Sequence, residues 1–360
     1  MRDELAFTWE GRPGRVVFGA GSLQHLEREV QALGARRALV LCGPRQRTAA
    51  AAIAARLGSR AVGVFDRAAM HVPIEVARQA RALAAQSGAD CAVALGGGST
   101  IGLGKAIALE SGLPILAIPT TCAGSEMTPI HGITEAGRKT TGRDARVLPR
   151  CVIYDPDLLE SLPAPLAVTS GMNAIAHAAE GLYAEDGNPV LDLMAEEGIR
   201  AVAAALPQLA RGTGPGQAGA RAGALYGAWL CGTVLGSAAM GLHHKLCHTL
   251  GGSFDLPHAG THTVMLPHTL AYNASHAPRA MARIARALGA PAAPQALFEL
   301  QRATGAPTAL RDLGMPEPGL DRVAELAVQA PYPNPRPLDR AALRALLQRA
   351  YEGAPPQPDA

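Results

Sequence analysis

The stretch CAVALGGGSTIGLGK, residues 91–105, reads as a buried strand that runs through three glycines into a helix. Cys91 to Leu95 carry no charge, which suits a strand covered on both faces. Gly96, Gly97 and Gly98 allow a ligand to approach the backbone closely, and Ser99 and Thr100 open the helix. A helix N-terminus offers unbonded amides and the positive end of a dipole, a site suited to a pyrophosphate. Glycines after a strand also make plain tight turns, so the surroundings decide. Upstream, RVVF at 15–18, ALVLC at 38–42 and AVGVF at 61–65 repeat the short apolar pattern; downstream, ILAIP at 115–119 and CVIYD at 151–155 do so again. Helical patterns fall between them, at 47–57, at 73–87 behind Pro73, and around 102–110. Strands alternating with helices predict a parallel sheet covered on both sides.

After Asp155 the strand signals stop. Helical patterns occupy 164–184, 190–206, 217–242, 244–250 and 277–288, with later ones near 295–304, 319–329 and 339–351, the last capped by Asp339. The expected architecture is an α/β, Rossmann-like dinucleotide-binding domain over residues 1–157, followed by an all-α catalytic domain over 158–360. Residues 222–242 hold no charge, but five are glycine. A small-residue helix buried on all sides fits that run better than a membrane span. A net charge of +3 gives no reason to expect nucleic acid, and 48% hydrophobic against 18% charged residues excludes a largely disordered chain. Six scattered cysteines without a CxxC pair point to reduced thiols in the cytoplasm, and the first residues show no apolar signal-peptide core.

The chemistry concentrates in HHKLCHTLGGSFDLPH, residues 243–258, which holds four of the chain's 11 histidines. His244 and His248 lie one helical turn apart, so they share a face. The LGG step, Leu250 to Gly252, is expected to end that helix, and Pro257 to start the segment carrying His258. Asn173 and His177, in SGMNAIAHAAE, are also one turn apart. Gathered imidazoles bind metals, move protons or donate hydrogen bonds near neutral pH. The plainer alternative is a set of partly exposed histidines at a helix end.

The pairing of these two segments resembles the iron-containing alcohol dehydrogenase family, whose architecture is shared with dehydroquinate synthase. The resemblance implies an Asp and three His around a divalent metal, and those positions fall on Asn173, His177, His244 and His258, with His248 a nearby non-ligand. An amide at 173 carries no charge and is a poor partner for a hard cation, so no metal is expected. In this respect the chain is similar to the branch of the family that reduces maleylacetate without a metal. PTTCAGSEMT at 119–128 matches the segment that the family places beside its dinucleotide, and Thr120, Thr121 and Ser125 are expected at the ribose or nicotinamide. The strand ALVLC ends in Gly43, Pro44 and Arg45 with no acid to repel a 2′-phosphate. NADH or NADPH is therefore the expected cofactor, with Arg45 or Arg47 assisting the latter.

Hydride addition to an alkene conjugated with a ketone spreads charge into an enolate, which hydrogen-bond donors can stabilise without a metal. Maleylacetate is such a molecule, giving 3-oxoadipate in aromatic-compound degradation. Its two carboxylates call for cations, and Lys139, Arg143 and Arg146, with Lys245 and His243, are the candidates. The expected catalytic set is His244, His177 and His258 at the substrate carbonyl, beside Asn173, with His248 or His243 moving the proton. The remaining expectations are a small dicarboxylate substrate, a homodimer, and neither nucleic acid nor membrane as partner. A metal-dependent alcohol dehydrogenase with Asn173 as a neutral ligand and a dehydroquinate synthase-like lyase are the rival readings.

Overall fold

The structure, a computed structural model, describes residue 7, residues 14–329 and residues 332–357. It contains two compact units, one within Glu10–Leu162 and the other built on Pro163–Ala360.

The first unit is α/β. Its strands are β1 (Arg15–Phe18), β2 (Ala38–Leu41), β3 (Ala61–Phe65), β4 (Cys91–Gly96), β5 (Ile115–Pro119), β6 (Ile130–Glu135), β7 (Arg138–Arg143) and β8 (Cys151–Tyr154). Its helices are α1 (Leu26–Ala32), α2 (Arg47–Leu57), α3 (Ile74–Gln86) and α4 (Gly98–Ser111). Six strands pair in parallel in the order β1-β8-β5-β4-β2-β3. Alternate residues serve opposite faces, as the pleat requires. Ala38, Val40, Cys91, Val93 and Leu116 pack with Leu26, Val30, Ile53 and Leu57 of α1 and α2. Leu39, Leu41, Ala92, Ala94 and Ile115 pack on the other side with Ala77, Ala80, Leu103 and Ile107 of α3 and α4. That double covering explains the uncharged strands.

The stretch around 130–143, which carries the candidate cations Lys139 and Arg143, is an antiparallel hairpin, β6 with β7. The turn residues Ala136 and Gly137 both have positive φ, 49° and 76°. This is the two-residue turn whose twist suits a hairpin, and Ala136 hides it because the usual Asn-Gly signal is missing.

The second unit is helical: α5 (Ala164–Gly181), α6 (Pro189–Leu209), α7 (Ala218–Ser237), α8 (Leu242–Phe254), α9 (His258–Asn273), α10 (Pro278–Leu288), α11 (Ala293–Ala303), α12 (Gly319–Gln329) and α13 (Arg340–Glu352). Helices α5, α6 and α7 approach closely at glycines. A Cβ on Gly227 would lie 2.5 Å from Val202 Cγ2 and 2.8 Å from the Gly198 carbonyl. The run 217–242 is not one helix, for α7 ends at Ser237 and α8 leaves at 95°. Among the described residues no single helix is long and apolar enough to cross a membrane. All six cysteines are buried, and none is in a disulfide. Asp339 caps α13, accepting from the Ala342 amide at 2.7 Å.

In the histidine region one expectation fails and one helix went unread. The LGG step does not end its helix: α8 continues through Gly251 and Gly252 to Phe254, and stops where Asp255 turns left-handed at φ 54°. Each internal glycine costs about 1 kcal/mol of helix preference, but Leu246, Leu250 and Leu256 are buried in one cluster and hold the segment in place. Residues 258–273 form a full helix, α9, that its polar composition concealed. It is buried without interruption from Gly260 to Asn273. Pro267 lies inside it and has no N–H for the Thr263 carbonyl, which instead accepts from the buried Gln301 side chain.

His268, also on α9, is buried with neither ring nitrogen bonded within the described residues, and burial, assisted by Arg349, pulls its pKa down to about 4. The folded chain therefore holds it neutral, whereas the unfolded chain takes up a proton below about pH 6.5. Its contribution to stability falls as pH drops from that value toward the folded one. His268→Leu should gain roughly 1–2 kcal/mol on the native protein between pH 7.5 and pH 5, read as urea-unfolding free energies at the two pH values.

Candidate active site

In the α/β unit, β4 ends at Gly96, whose φ of 155° and whose neighbour Thr100, 2.4 Å from a would-be Cβ, admit only glycine. Gly97 starts α4 without any side-chain cap, and Gly98 is exposed. The first amides of α4 are thus presented outward, a fit for a phosphate pair. Thr121 packs against Gly97. Thr120 is buried and its hydroxyl accepts from Gln46 Nε2 at 2.7 Å, while Ser125 Oγ is buried with no partner among the described residues.

Lys105, on α4, fixes this loop. Its buried ammonium donates to the carbonyls of Ser125, Thr128 and Ile130 and to Thr128 Oγ1, all at 2.7–2.9 Å. Burial pulls its pKa to about 7, opposed by the buried carboxyl of Glu126, which accepts from Tyr154 Oη at 2.7 Å. The loop over 119–130 is therefore fastened to the helix that carries the phosphate site.

In the helical unit, helices α5, α8 and α9 converge their polar side chains. Spacing of one turn places Asn173 and His177 together on α5, His244 and His248 on α8, and His258 and His262 on α9. Ring centroids lie 5.0 Å apart for His177 and His244, 4.9 Å for His244 and His262, and 4.4 Å for His258 and His262. Two hydrogen-bonded chains order these rings. In the first, buried Glu180 accepts from the His243 amide at 2.8 Å, from the His244 amide at 3.3 Å and from His244 Nδ1. A carboxylate only accepts, so His244 carries its proton on Nδ1 and its Nε2 accepts from His177 Nδ1, 2.8 Å away. His177 Nε2 is the open end. In the second, the Thr269 hydroxyl donates to the Met265 or Leu266 carbonyl and accepts from His243 Nδ1 at 3.1 Å. His243 Nε2 then accepts from His262 Nδ1 at 2.9 Å, leaving His262 Nε2 buried and without a partner among the described residues.

The electrostatics follow. Burial alone would raise the Glu180 carboxyl, but the His244 ring and the His243 amide outweigh it and hold the group below its usual range. Burial, reinforced by the neighbouring imidazoles, drives His177 and His262 well below the usual histidine range; burial takes His243 to about 3.

The structure distributes the expected residues unevenly. His244 has both ring nitrogens engaged, so the ring presented beyond it is His177. His243 is fully buried behind His262 and meets nothing directly but its own chain. His248 is exposed and His258 half-buried. Lys245 is half-buried with its Nζ 5.9 Å from the Tyr332 ring centre. Arg143 is exposed at the end of β7, Arg146 is paired with Asp144 at 2.7 Å, and the Lys139 side chain lies outside the described residues. Gly43 ends the turn after β2, 3.7 Å from the Ala68 carbonyl as measured from a would-be Cβ. Glu180, His262 and Thr269 escaped sequence reasoning. The H-x-x-E spacing of His177 and Glu180 and the H-x-x-x-H spacing of His258 and His262 would have revealed the first two.

Residues 13–156 match the iron-containing alcohol dehydrogenase family, and residues 167–351 match the C-terminal domain of the Fe-containing alcohol dehydrogenase family. The chain belongs to this family of oxidoreductases. It is 65% identical to a maleylacetate reductase of Burkholderia cepacia, over 98% of this chain and 99% of that one. It is 55% identical to a maleylacetate reductase of Sphingobium indicum over 98% and 99%. The crystal structure of maleylacetate reductase from Agrobacterium tumefaciens superposes with a TM-score of 0.94 at 53% identity, covering 98% of this chain and 99% of that one.

Iron is implied by the family's name, but the residues at three of the four ligand positions do not fit a divalent ion as they stand. Asn173 offers an uncharged, buried Oδ1. His177 and His244 turn toward each other and share a proton instead of converging lone pairs, and Glu180 is spent on His244 and the α8 amides. A second group, His243, Cys247 and His262, brings ligand atoms within 4.8 Å. There too the two imidazoles share a hydrogen bond, and burial pushes the Cys247 thiol up, away from the thiolate that a metal needs.

Glu180→Gln tests the proton order. The new amide still accepts from the α8 backbone through its oxygen, but its NH₂ faces His244 and reverses the donor sequence through His177. Turnover should fall about 100-fold or more, the scale of a lost acid–base group, with a native circular dichroism spectrum. Near-normal kcat in a folded variant would show that the chain's proton order does not matter.

Proposed function

We propose that this chain reduces maleylacetate to 3-oxoadipate with NADH or NADPH and without a metal. The full-length 65% identity to a maleylacetate reductase carries the substrate. The uncharged Asn173 and the His177–His244 hydrogen bond support the absence of a metal. The dinucleotide supplies a hydride to the alkene carbon remote from the ketone. The chain's residues have two tasks: to stabilise the enolate oxygen, and to deliver one proton to the carbon between the new C–H bond and the former ketone.

The Glu180–His244–His177 chain suits both tasks. Burial keeps the His177 ring neutral in the free chain; a dianionic substrate beside Nε2 favours uptake of one proton there, so that both ring nitrogens carry N–H and Glu180, through His244, balances the charge. His177 Nε2–H then donates to the developing oxyanion, an interaction that strengthens only as charge appears. His258 and His248, nearer the surface, are placed to return the proton from solvent. The substrate carboxylates call for cations, and Lys245 is the candidate within the helical unit. A homodimer is the assembly we propose.

His177→Ala should lower kcat about 100- to 1000-fold while leaving dinucleotide affinity close to wild type, because the dinucleotide is held by the loop at 96–100. A loss that appears only as weaker dinucleotide binding would contradict this role. Activity should survive exhaustive chelation, with sub-stoichiometric metal in the purified protein. Stoichiometric iron or zinc, with activity lost to EDTA and restored by the metal, would favour the metal-dependent alcohol dehydrogenase reading. Net oxidation of NADH on adding freshly prepared maleylacetate separates the reductase from a lyase, which returns its dinucleotide unchanged.

A further inference from the structure

The turn after β2 holds no acid, but the residue after β3 does: Asp66. β2 and β3 are paired so that Leu41 lies opposite Phe65. Their next residues, Cys42 and Asp66, are therefore neighbours. The Cys42 amide donates to the Phe65 carbonyl at 2.9 Å, and the Ala68 amide donates to the Cys42 carbonyl at 3.1 Å. These bonds lay the turn after β3 against the turn after β2. Arg47, the first residue of α2, reaches across with Nε 2.9 Å from Asp66 Oδ2. Gln46 beside it donates to Thr120, and its Oε1 lies 2.9 Å from a would-be Cβ on Gly96. Gly43 to Arg47, Asp66 and the phosphate loop thus form one continuous rim at the carboxyl ends of β2, β3 and β4.

Strand order places this rim at a crevice. From β2 the chain steps outward to β3, then returns to β4 on the other side of β2. Open α/β sheets bind ligands where the order reverses in this way. With the pyrophosphate on α4, the adenosine half extends over the ends of β2 and β3.

We propose that Asp66 and Arg47 together read the 2′ position of the adenosine ribose, Asp66 accepting from the hydroxyls of NADH and Arg47 meeting the 2′-phosphate of NADPH. The carboxylate that a Rossmann fold usually places after its second strand has moved one strand outward. Arg47 neutralises it, which allows both dinucleotides to bind. The Arg47 side chain is 79% exposed and that of Asp66 25%, so the pair opens at little cost. Arg67 is directed elsewhere, its guanidinium 4.8 Å from the Phe65 ring centre.

This inference rests on the dinucleotide reading, and binding alone separates the two. Kd values for NADH and NADPH are measured by fluorescence titration of the full chain, for wild type, Asp66→Asn and Arg47→Ala. Asp66→Asn should lower the ratio of Kd for NADPH to Kd for NADH, and Arg47→Ala should raise it, each by about tenfold. The proposal is overturned if either variant moves the ratio by less than about threefold, or if both move it in the same direction. If the wild type binds neither dinucleotide, the cofactor reading itself fails, and this one falls with it before any variant is made.

Discussion

The Glu180 carboxylate at the first turn of α8 is the interaction on which the helical unit's chemistry depends. Nothing in its own sequence caps α8, since it begins at Gly241, and its first amides would be left without acceptors. Glu180 reaches from α5 to take two of them, and the positive end of the helix dipole favours its charge. The same carboxylate fixes the proton of His244 and, through it, that of His177. One group therefore caps a helix, joins α5 to α8 and sets a tautomer. A buried carboxylate is ordinarily a liability, tolerated only when charge and hydrogen bonds surround it. Here every one of those compensations is also part of the site.

The α/β unit solves a comparable problem with the opposite charge. Lys105 is a buried ammonium whose hydrogens are spent on three carbonyls and a hydroxyl of the loop at 125–130, with Glu126 nearby for balance. The loop belongs to no strand over most of its length, so its carbonyls need donors from elsewhere. A single side chain on α4 provides them.

Much of this was legible from the sequence where the signal is local. The uncharged runs at 38–42 and 91–95 are strands because both faces of the sheet are covered, and the three glycines after Leu95 mark the close-packed turn into α4. The histidine spacing, too, marked α5 and α8, whose His177 and His244 rings meet. What escaped was tertiary. Gly251 and Gly252 read as a stop, yet a helix whose leucines are buried tolerates two glycines. The polar residues of α9 disguised a core helix, because His262 and Thr269 bond His243 and the Thr263 carbonyl accepts from Gln301, partners far away in sequence. Glu180 looked like an ordinary charge at the end of an alanine-rich helix; only the arrival of α8 gives it meaning. Asp66 was overlooked because the expected acid belongs to the strand before it.

The double duty of α9 has a consequence for how such a chain can diversify. From Gly260 to Asn273 every residue is buried, and the same helix supplies His262 and Thr269 to the site. A change at either of these two alters packing and proton order together, so a lineage cannot adjust one without risking the other. Lys245 and His248, at the margin, carry no such double burden. Divergence toward new substrates has its open routes at the margin, while His262 and Thr269 beneath it are held by both demands at once.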